Sequence, residues 1–177
     1  MRTSYDQADV QRIIEQLASR IAGTFPADQP ITIVGIRTRG EVLAQRLTSL
    51  LENRGYRNIG RGVLDITLYR DDLSEVGPRP MVRPTRIDIG IDGRPLLLTD
   101  DVLFTGRSVR AAMEALNDFG RPSAIRLVVL IDRRGRELPI QADFVGLTMP
   151  DVPVDHRVNV KFTESDDRDE IVVEPRK

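Results

Sequence analysis

Residues 96–108, LLLTDDVLFTGRS, set three things in order: an apolar strand from Leu96, two adjacent carboxylates at its end, and a Thr-Gly-Arg-Ser turn that opens a helix. The first amides of a helix have no intrahelical partner and lie at the positive end of its dipole. Thr105 to Ser108 can therefore hold a phosphate through hydroxyls and backbone N–H groups. Gly106 lets the main chain come close to the anion. No lysine of a nucleotide-triphosphate loop follows, which disfavours that class of hydrolase. Asp100 and Asp101 suit neighbouring sugar hydroxyls, because a carboxylate accepts hydrogen bonds and repels phosphate. A ribose 5-phosphate fits both halves. Taken alone, the acid pair reads more simply as a strand end, with Ser108 capping a helix; the whole pattern favours the ligand.

Working outward, helical and strand-like segments alternate. Val10, Ile13, Ile14, Leu17 and Ile21 fall at helical spacing, with Asp6 as N-cap and Gly23 as C-cap. ITIVGI from Ile31 is a short β-branched strand, and Leu43, Leu47, Leu50 and Leu51 mark a second helix. VLDITLY from Val63 predicts another strand. Residues 70–84 then run without period through three prolines and a glycine, a loop long enough to be a lid. RIDIG and PLLLT flank the turn Asp92-Gly93, which predicts a hairpin. Val109, Ala112, Met113 and Leu116 predict a third helix ending near Gly120, before a buried strand at Ile125–Ile131. Short strands are expected around Phe144, at Val158–Phe162 and at Ile171–Val173, with ESDDRDE between the last two as a solvated acidic turn. Such alternation predicts an α/β fold, a mainly parallel central sheet flanked by helices on both faces. Ligands then bind at the carboxyl ends of the strands.

Composition narrows the chemistry. With 177 residues, 40% hydrophobic and 30% charged, the chain supports one domain over residues 1–177 and a buried core. Lys plus Arg number 26 against 27 Asp plus Glu, so any nucleic-acid contact must come from local clustering. There is no cysteine, which removes disulfides, thiolate metal sites and cysteine nucleophiles. The single histidine, His156, lies in a strand-like context, which sets aside Ser-His-Asp hydrolases and His-rich metal sites and leaves it a structural or surface residue. The polar N-terminus lacks a signal-peptide run, and LVVLI at Leu127–Ile131 is too short to span a bilayer. A soluble cytoplasmic protein with no membrane partner is expected.

The Leu96–Ser108 stretch resembles the diphosphate-sugar motif of the type I phosphoribosyltransferases. DITLYRDDLS from Asp65, TGRSVRAAMEAL from Thr105, DFGRPSAIRLVVLIDR from Asp118 and RELPIQADFVG from Arg136 extend the likeness over nearly the whole chain. They are similar to the PyrR family, pyrimidine operon attenuators that are also uracil phosphoribosyltransferases. The resemblance implies the type I phosphoribosyltransferase fold with a flexible hood loop, and the conversion of uracil and phosphoribosyl diphosphate to UMP and diphosphate. It implies Mg²⁺ as cofactor and a homodimer or homotetramer.

The same resemblance distributes roles along the chain. Arg37, Thr38, Arg39 and Gly40 would bind the diphosphate, together with Asp100, Asp101, Val102, Leu103, Phe104, Thr105, Gly106, Arg107 and Ser108 for the rest of that substrate. Read from residues alone, GIRTRGEVLA from Gly35 is equally a solvated basic turn. Guanidinium groups suit the diphosphate role because they bind phosphate oxygens in pairs and stay charged. Tyr69, Arg70, Asp71 and Asp72 would begin the hood, with Arg70 reaching the leaving diphosphate and joining Asp100 and Asp101 in catalysis. Ile131, Asp132 and Arg133 would line the base pocket. Mg²⁺ would arrive with the substrate, with Asp100 and Asp101 as its candidate protein ligands. The expected chemistry is a dissociative displacement at the ribose anomeric carbon, shielded from water by the closing loop.

Two segments depart from the family. Arg134 and Gly135 stand where many members have Gly-His, and LTMPDVPVD follows Gly146 in place of the usual Lys-Asn-(Ile/Val)-Pro-Thr-Ser. RNA is a further candidate partner, which would need a basic face built from Arg37, Arg39, Arg133, Arg134 and Arg136 with Arg12 and Arg20 of the first helix. Glu15, Gln16 and Ser19 dilute that helix, and no aromatic cluster offers base stacking. Two rival readings keep the fold: an RNA-binding attenuator or nucleotide sensor with weak or no catalysis, and a purine phosphoribosyltransferase.

Overall fold

The computed structural model describes residues 3–71 and 82–176. Its centre is a six-stranded sheet of β2 (Ile31–Ile36), β3 (Ile59–Leu64), β4 (Arg86–Ile87), β5 (Pro95–Leu103), β6 (Ala124–Arg133) and β7 (Phe144–Met149), in the order β4-β3-β2-β5-β6-β7. All neighbours run parallel except β4, which pairs antiparallel with β3. Strand alternation divides the apolar residues between two cores. Ile31 and Ile33 of β2, Leu97 of β5 and Val128 of β6 face α1 (Gln7–Thr24) and α2 (Arg39–Glu52). Val34, Leu96, Leu98 and Val129 face α3 (Arg107–Leu116) on the other side. Leu17, Ile21, Leu43 and Leu47 are fully buried, and each such side chain contributes about 2 kcal/mol.

A second, three-stranded antiparallel sheet joins the two ends of the chain, with β9 (Glu170–Pro175) between β1 (Ser4–Tyr5) and β8 (His156–Lys161). It packs on the α1/α2 side through Val160, Phe162, Ile171 and Val173. Between β8 and β9 lies the short helix α4 (Thr163–Asp166).

The parallel sheet with helices on both faces matches the expected α/β architecture, and several local expectations are corrected. Helix α1 runs past Gly23 to Thr24 and ends at Phe25, whose amide bonds Ile21 O at 2.9 Å before Pro26 stops the helix. Asp6 is its N-cap, as expected, accepting from Asp9 N at 3.0 Å. The strand expected over 63–69 is instead β3 over Ile59–Leu64 followed by a 3₁₀ turn at Thr67–Tyr69. Asp65 breaks the strand by accepting from Thr67 N at 2.8 Å, a turn closed by its own side chain. The Asp92-Gly93 turn exists, with Gly93 at φ 68°, yet its flanks do not form a hairpin. Residues Arg86–Ile87 leave for the far edge beside β3, while β5 enters the sheet centre between two parallel partners. Strand β5 also continues through Asp100 and Asp101 to Leu103. Met113 of α3 is 38% exposed and lies outside the core face. The expected hood falls largely on residues 72–81, including Asp72, which lie outside the described residues.

Candidate active site

The carboxyl ends of β2, β3 and β5 meet the start of α3 around a cavity of about 430 Å³. Arg37, Thr38 and Arg39 enter it from the β2–α2 turn, Asp65 and Thr67 from the end of β3, and Asp100, Asp101 and Val102 from β5. Ser108 of α3, Arg70 and Arg83 line it as well. A smaller pocket of about 140 Å³ shares Asp100, Val102 and Ser108 and is lined besides by Leu103, Phe104, Thr105 and Gly106. The expected phosphate turn and the expected diphosphate turn thus line two adjoining cavities that share Asp100, Val102 and Ser108.

Local sequence explains the turn at α3. Gly106 is its N-cap with φ 93°, a left-handed backbone that a Cβ would strain. The first intrahelical bond runs from Arg110 N to Gly106 O at 3.0 Å, so the amides of Ser108 and Val109 precede it and remain available to an anion. The Thr105 carbonyl accepts from Glu137 N at 3.0 Å and Leu138 N at 3.1 Å, which ties the turn to the loop after β6. Arg107 adds only its backbone here. Its side chain is half exposed and paired with Asp71 and with Glu137.

Asp100 is buried and Asp101 is partly buried. Burial, and then the neighbouring Asp101 carboxylate, push Asp100 well above the usual carboxylate range. Asp101 is raised by burial as well, with the Arg39 guanidinium pulling against it. Asp100 accepts from Asp101 N at 3.0 Å. Asp65, in the same cavity, stands below its ordinary value. Burial works against this, but hydrogen bonds from Thr67 and Arg83 and the charge of Arg37 prevail.

The β2–α2 turn carries the other charge. The Arg37–Thr38 peptide is cis. Arg37 donates to Glu41 Oε2 at 3.3 Å and to Pro84 O at 3.1 Å, and its buried Nε has no partner among the described residues. Gly40 does not line the cavity. It is buried where a Cβ would stand 2.4 Å from Thr99 O, and Thr99 Oγ1 donates to Gly40 O at 2.7 Å, which fixes α2 against β5 beside the acids. Arg39 is held by Asp166 of the C-terminal turn, with Nη2 to Oδ1 at 2.7 Å and Nε to Oδ2 at 3.3 Å. The segment expected as a solvated acidic turn is therefore a docked one. Asp169 is 8% exposed and binds Arg46 of α2 at 2.6 and 2.7 Å.

Of the residues expected to begin the hood, Arg70 reaches the cavity, whereas Tyr69 turns to α3, its hydroxyl on Asp118 and its carbonyl accepting from Arg110 at 3.1 Å. Asp132 and Arg133 line a separate cavity of about 320 Å³ with Arg134, Arg136, Thr148 and Pro150, while Ile131 is buried in the sheet. Arg133 is 2% exposed. It donates to His156 O at 2.7 Å and Pro153 O at 2.8 Å, and its guanidinium lies 4.2 Å from the Phe104 ring centroid. Arg136 ties Asp132 to the carbonyls of Phe104 and Ile140. The arginines weighed for RNA are thus largely engaged within the chain, including Arg12 with Asp9 and Arg20 with Val145 O. Arg134 is exposed. His156 pairs its ring with Asp155 at 2.9 Å and lines neither cavity that holds the acid pair.

Sequence reasoning did not single out Asp65, Thr67, Arg83 or Asp166. The Asp-x-Thr spacing at 65–67, a side-chain-closed turn, is the signal that could have found the first two.

Twin acids near the end of β5, a glycine-capped helix mouth and an arginine turn thus lie together, and the chain was compared with known proteins. The phosphoribosyl transferase domain family matches residues 3–167. The bifunctional protein PyrR of Roseiflexus sp. (strain RS-1) is 49% identical over 161 residues, covering 91% of this chain and 87% of that protein. The chain belongs to the PyrR family of phosphoribosyltransferases. Bifunctional protein PyrR of Elusimicrobium minutum is 44% identical over 95% of this chain and 93% of its own. The hypoxanthine phosphoribosyltransferase of Trypanosoma cruzi shares the fold, with a TM-score of 0.71 at 19% identity over 99% of this chain and 98% of that one. Like these PyrR relatives, the chain carries a type I phosphoribosyltransferase fold. Among the described residues no helix is long and apolar enough to cross a membrane.

Proposed function

We propose that this phosphoribosyltransferase joins uracil to phosphoribosyl diphosphate, giving UMP and diphosphate, with all 177 residues forming one catalytic domain that assembles as a homodimer or homotetramer. The observation that carries the reading is that the cavity of the arginine turn and twin acids adjoins the cavity of the helix mouth, with Asp100, Val102 and Ser108 lining both. The 5-phosphate sits against the amides of Ser108 and Val109 with the Thr105 and Ser108 hydroxyls. Asp100 and Asp101 accept from the ribose hydroxyls. Arg37, Thr38 and Arg39 receive the diphosphate, assisted by Arg70.

In the reaction the bond from the anomeric carbon to the diphosphate oxygen breaks, the bond to N1 of the base forms, and the N1 proton is released. The transition state carries positive charge on the ribose, which the acid pair beneath it stabilises, while the arginines accept the growing charge of the leaving group. Mg²⁺ fits the donor set. Asp100, buried, and Asp101, partly buried, are hard oxygen donors side by side at the cavity, and either carboxylate would take the ion. One or both carboxylates, with the substrate phosphates, would hold it, and the ion would supply neutralisation of the diphosphate charge.

The loop after β6, with Asp132 and Arg133, flanks the base. The relatives' shared description as bifunctional bears on a second role, UMP-dependent binding of RNA, for which exposed Arg134 at the rim of that pocket is the nearest contact. Diphosphate release from phosphoribosyl diphosphate, compared across uracil, hypoxanthine, guanine, adenine and orotate, tests the enzymatic reading. Uracil is expected to be preferred, and a purine preference or no release with any base overturns it. A gel shift of a pyrimidine-operon leader with and without UMP tests the second role; no nucleotide-dependent shift removes it.

A further inference from the structure

The C-terminal turn reaches across to α2 at two points on one helix face. Arg46 is held by Asp169 and by Glu164, at 2.8 Å to Oε1 of the latter, and lies 4.8 Å from the Phe162 ring centroid. Two helical turns earlier, Arg39 is held side-on by Asp166. The Asp166 carboxylate is fixed independently of Arg39. Its Oδ2 accepts from Phe162 N at 3.2 Å, closing the start of α4, and from Ser165 Oγ at 2.7 Å. The carboxylate is thus set by its own turn and dictates where the guanidinium lies.

The side-on pair uses Nε–H and one Nη2–H of Arg39, and the opposite edge, with both Nη1 protons, has no partner among the described residues. That residue lines the cavity beside Asp101. From this geometry we infer that Asp166 is a positioning residue for substrate binding: it orients Arg39 so that the free guanidinium edge meets the diphosphate of the incoming substrate. Arg39 without Asp166 keeps its charge and loses its orientation, at an entropic cost on every binding event. The neighbouring ion pair at Arg46 anchors the turn and does not touch the cavity. Hydrogen bonds from Arg39 and Ser165 hold Asp166 down to about 2, against the effect of burial, so it is charged wherever the enzyme works.

This inference rests on the reading of Arg39 as a diphosphate ligand, and the experiment separates the two. KM for phosphoribosyl diphosphate, kcat and melting temperature are measured for the full chain, Asp166→Asn, Asp166→Glu, Ser165→Ala and Asp169→Asn. Asp166→Asn is expected to raise that KM by about tenfold with kcat within about twofold, the signature of lost binding without lost transition-state stabilisation. Asp166→Glu should recover part of the loss, and Ser165→Ala, which only loosens the carboxylate, should raise KM about twofold to threefold. Asp169→Asn should lower the melting temperature and leave KM unchanged. An unchanged KM in Asp166→Asn, or an equal rise in Asp169→Asn, overturns the inference. If Asp166→Asn does not fold, an unaltered KM in Ser165→Ala does so. A parent protein that neither binds nor turns over phosphoribosyl diphosphate defeats the functional reading instead.

Discussion

Asp100 and Asp101 are neighbours on a strand that runs on to Leu103, the first buried and the second partly so, and both line the cavity. Holding two carboxylates there costs stability, since burial and mutual repulsion both oppose ionisation. Asp100→Asn keeps the acceptor for Asp101 N and removes a charge. It should raise stability at pH 7 by about 1 kcal/mol, read by denaturant titration, while the double Asn variant loses turnover by about a hundredfold or more. Near-normal rates in the double variant would remove the acids from the mechanism. Gly40 makes a second residue-scale case. A Cβ there would stand 2.4 Å from Thr99 O, a backbone atom that cannot turn aside. Gly40→Ala should cost about 2 kcal/mol or more by pushing α2 off β5, and should weaken diphosphate binding because the arginine turn moves with the helix. The two glycine roles were unequally legible: a glycine at a helix mouth advertises Gly106, whereas nothing local to residue 40 tells that β5 lies against it.

Among elements, the periodic ones followed from side-chain spacing. Helices α1, α2 and α3 each carry a continuous apolar face against one of the two cores, and β6 is buried along most of its length as its aliphatic run requires. The misread elements are those where a side-chain hydrogen bond or a strand from elsewhere in the chain decides the backbone. Asp65 ends β3 through Thr67 and Arg83, so a β-rich VLDITLY becomes a strand and a 3₁₀ turn. A good turn at Asp92-Gly93 does not pair its flanks, because the parallel partners β2 and β6 claim β5 from both sides. The acidic run at 164–170 reads as solvated until Arg39 and Arg46 are placed opposite it. Its docking to α2 makes an element-scale prediction. Asp169 is 8% exposed, and Asp169→Asn leaves Arg46 with one carboxylate, so chemical denaturation should show a loss of about 2–3 kcal/mol.

For the whole molecule, the two groups of carboxylates pull stability in opposite directions with pH. Asp166, held at about 2, and Asp65, Glu164 and Asp169, all lowered, ionise more readily folded than unfolded. Their contribution is full above the unfolded value near 4 and is lost as pH falls through their folded values, so acid unfolding should steepen between about pH 4 and pH 2. Asp100 and Asp101, both raised, contribute stability below the unfolded value that is lost as pH rises through their folded values. Melting curves from pH 2 to pH 8 should therefore rise to a maximum in mild acid and decline toward neutrality, and Asp100→Asn should flatten only the decline; a parent curve still climbing at pH 7 contradicts this. By its own residues the chain determined the α/β alternation, the strand-acid-glycine order that places a sugar phosphate, and a likeness spread over nearly its full length, because periodicity, caps and turn chemistry act over a few neighbouring residues. Which strands became neighbours, how the acids came to be buried, and why a C-terminal aspartate meets an arginine 127 residues away were decided only by tertiary packing. Burial and ion pairing depend on what the rest of the chain brings within a few ångströms, and no local spacing encodes that distance.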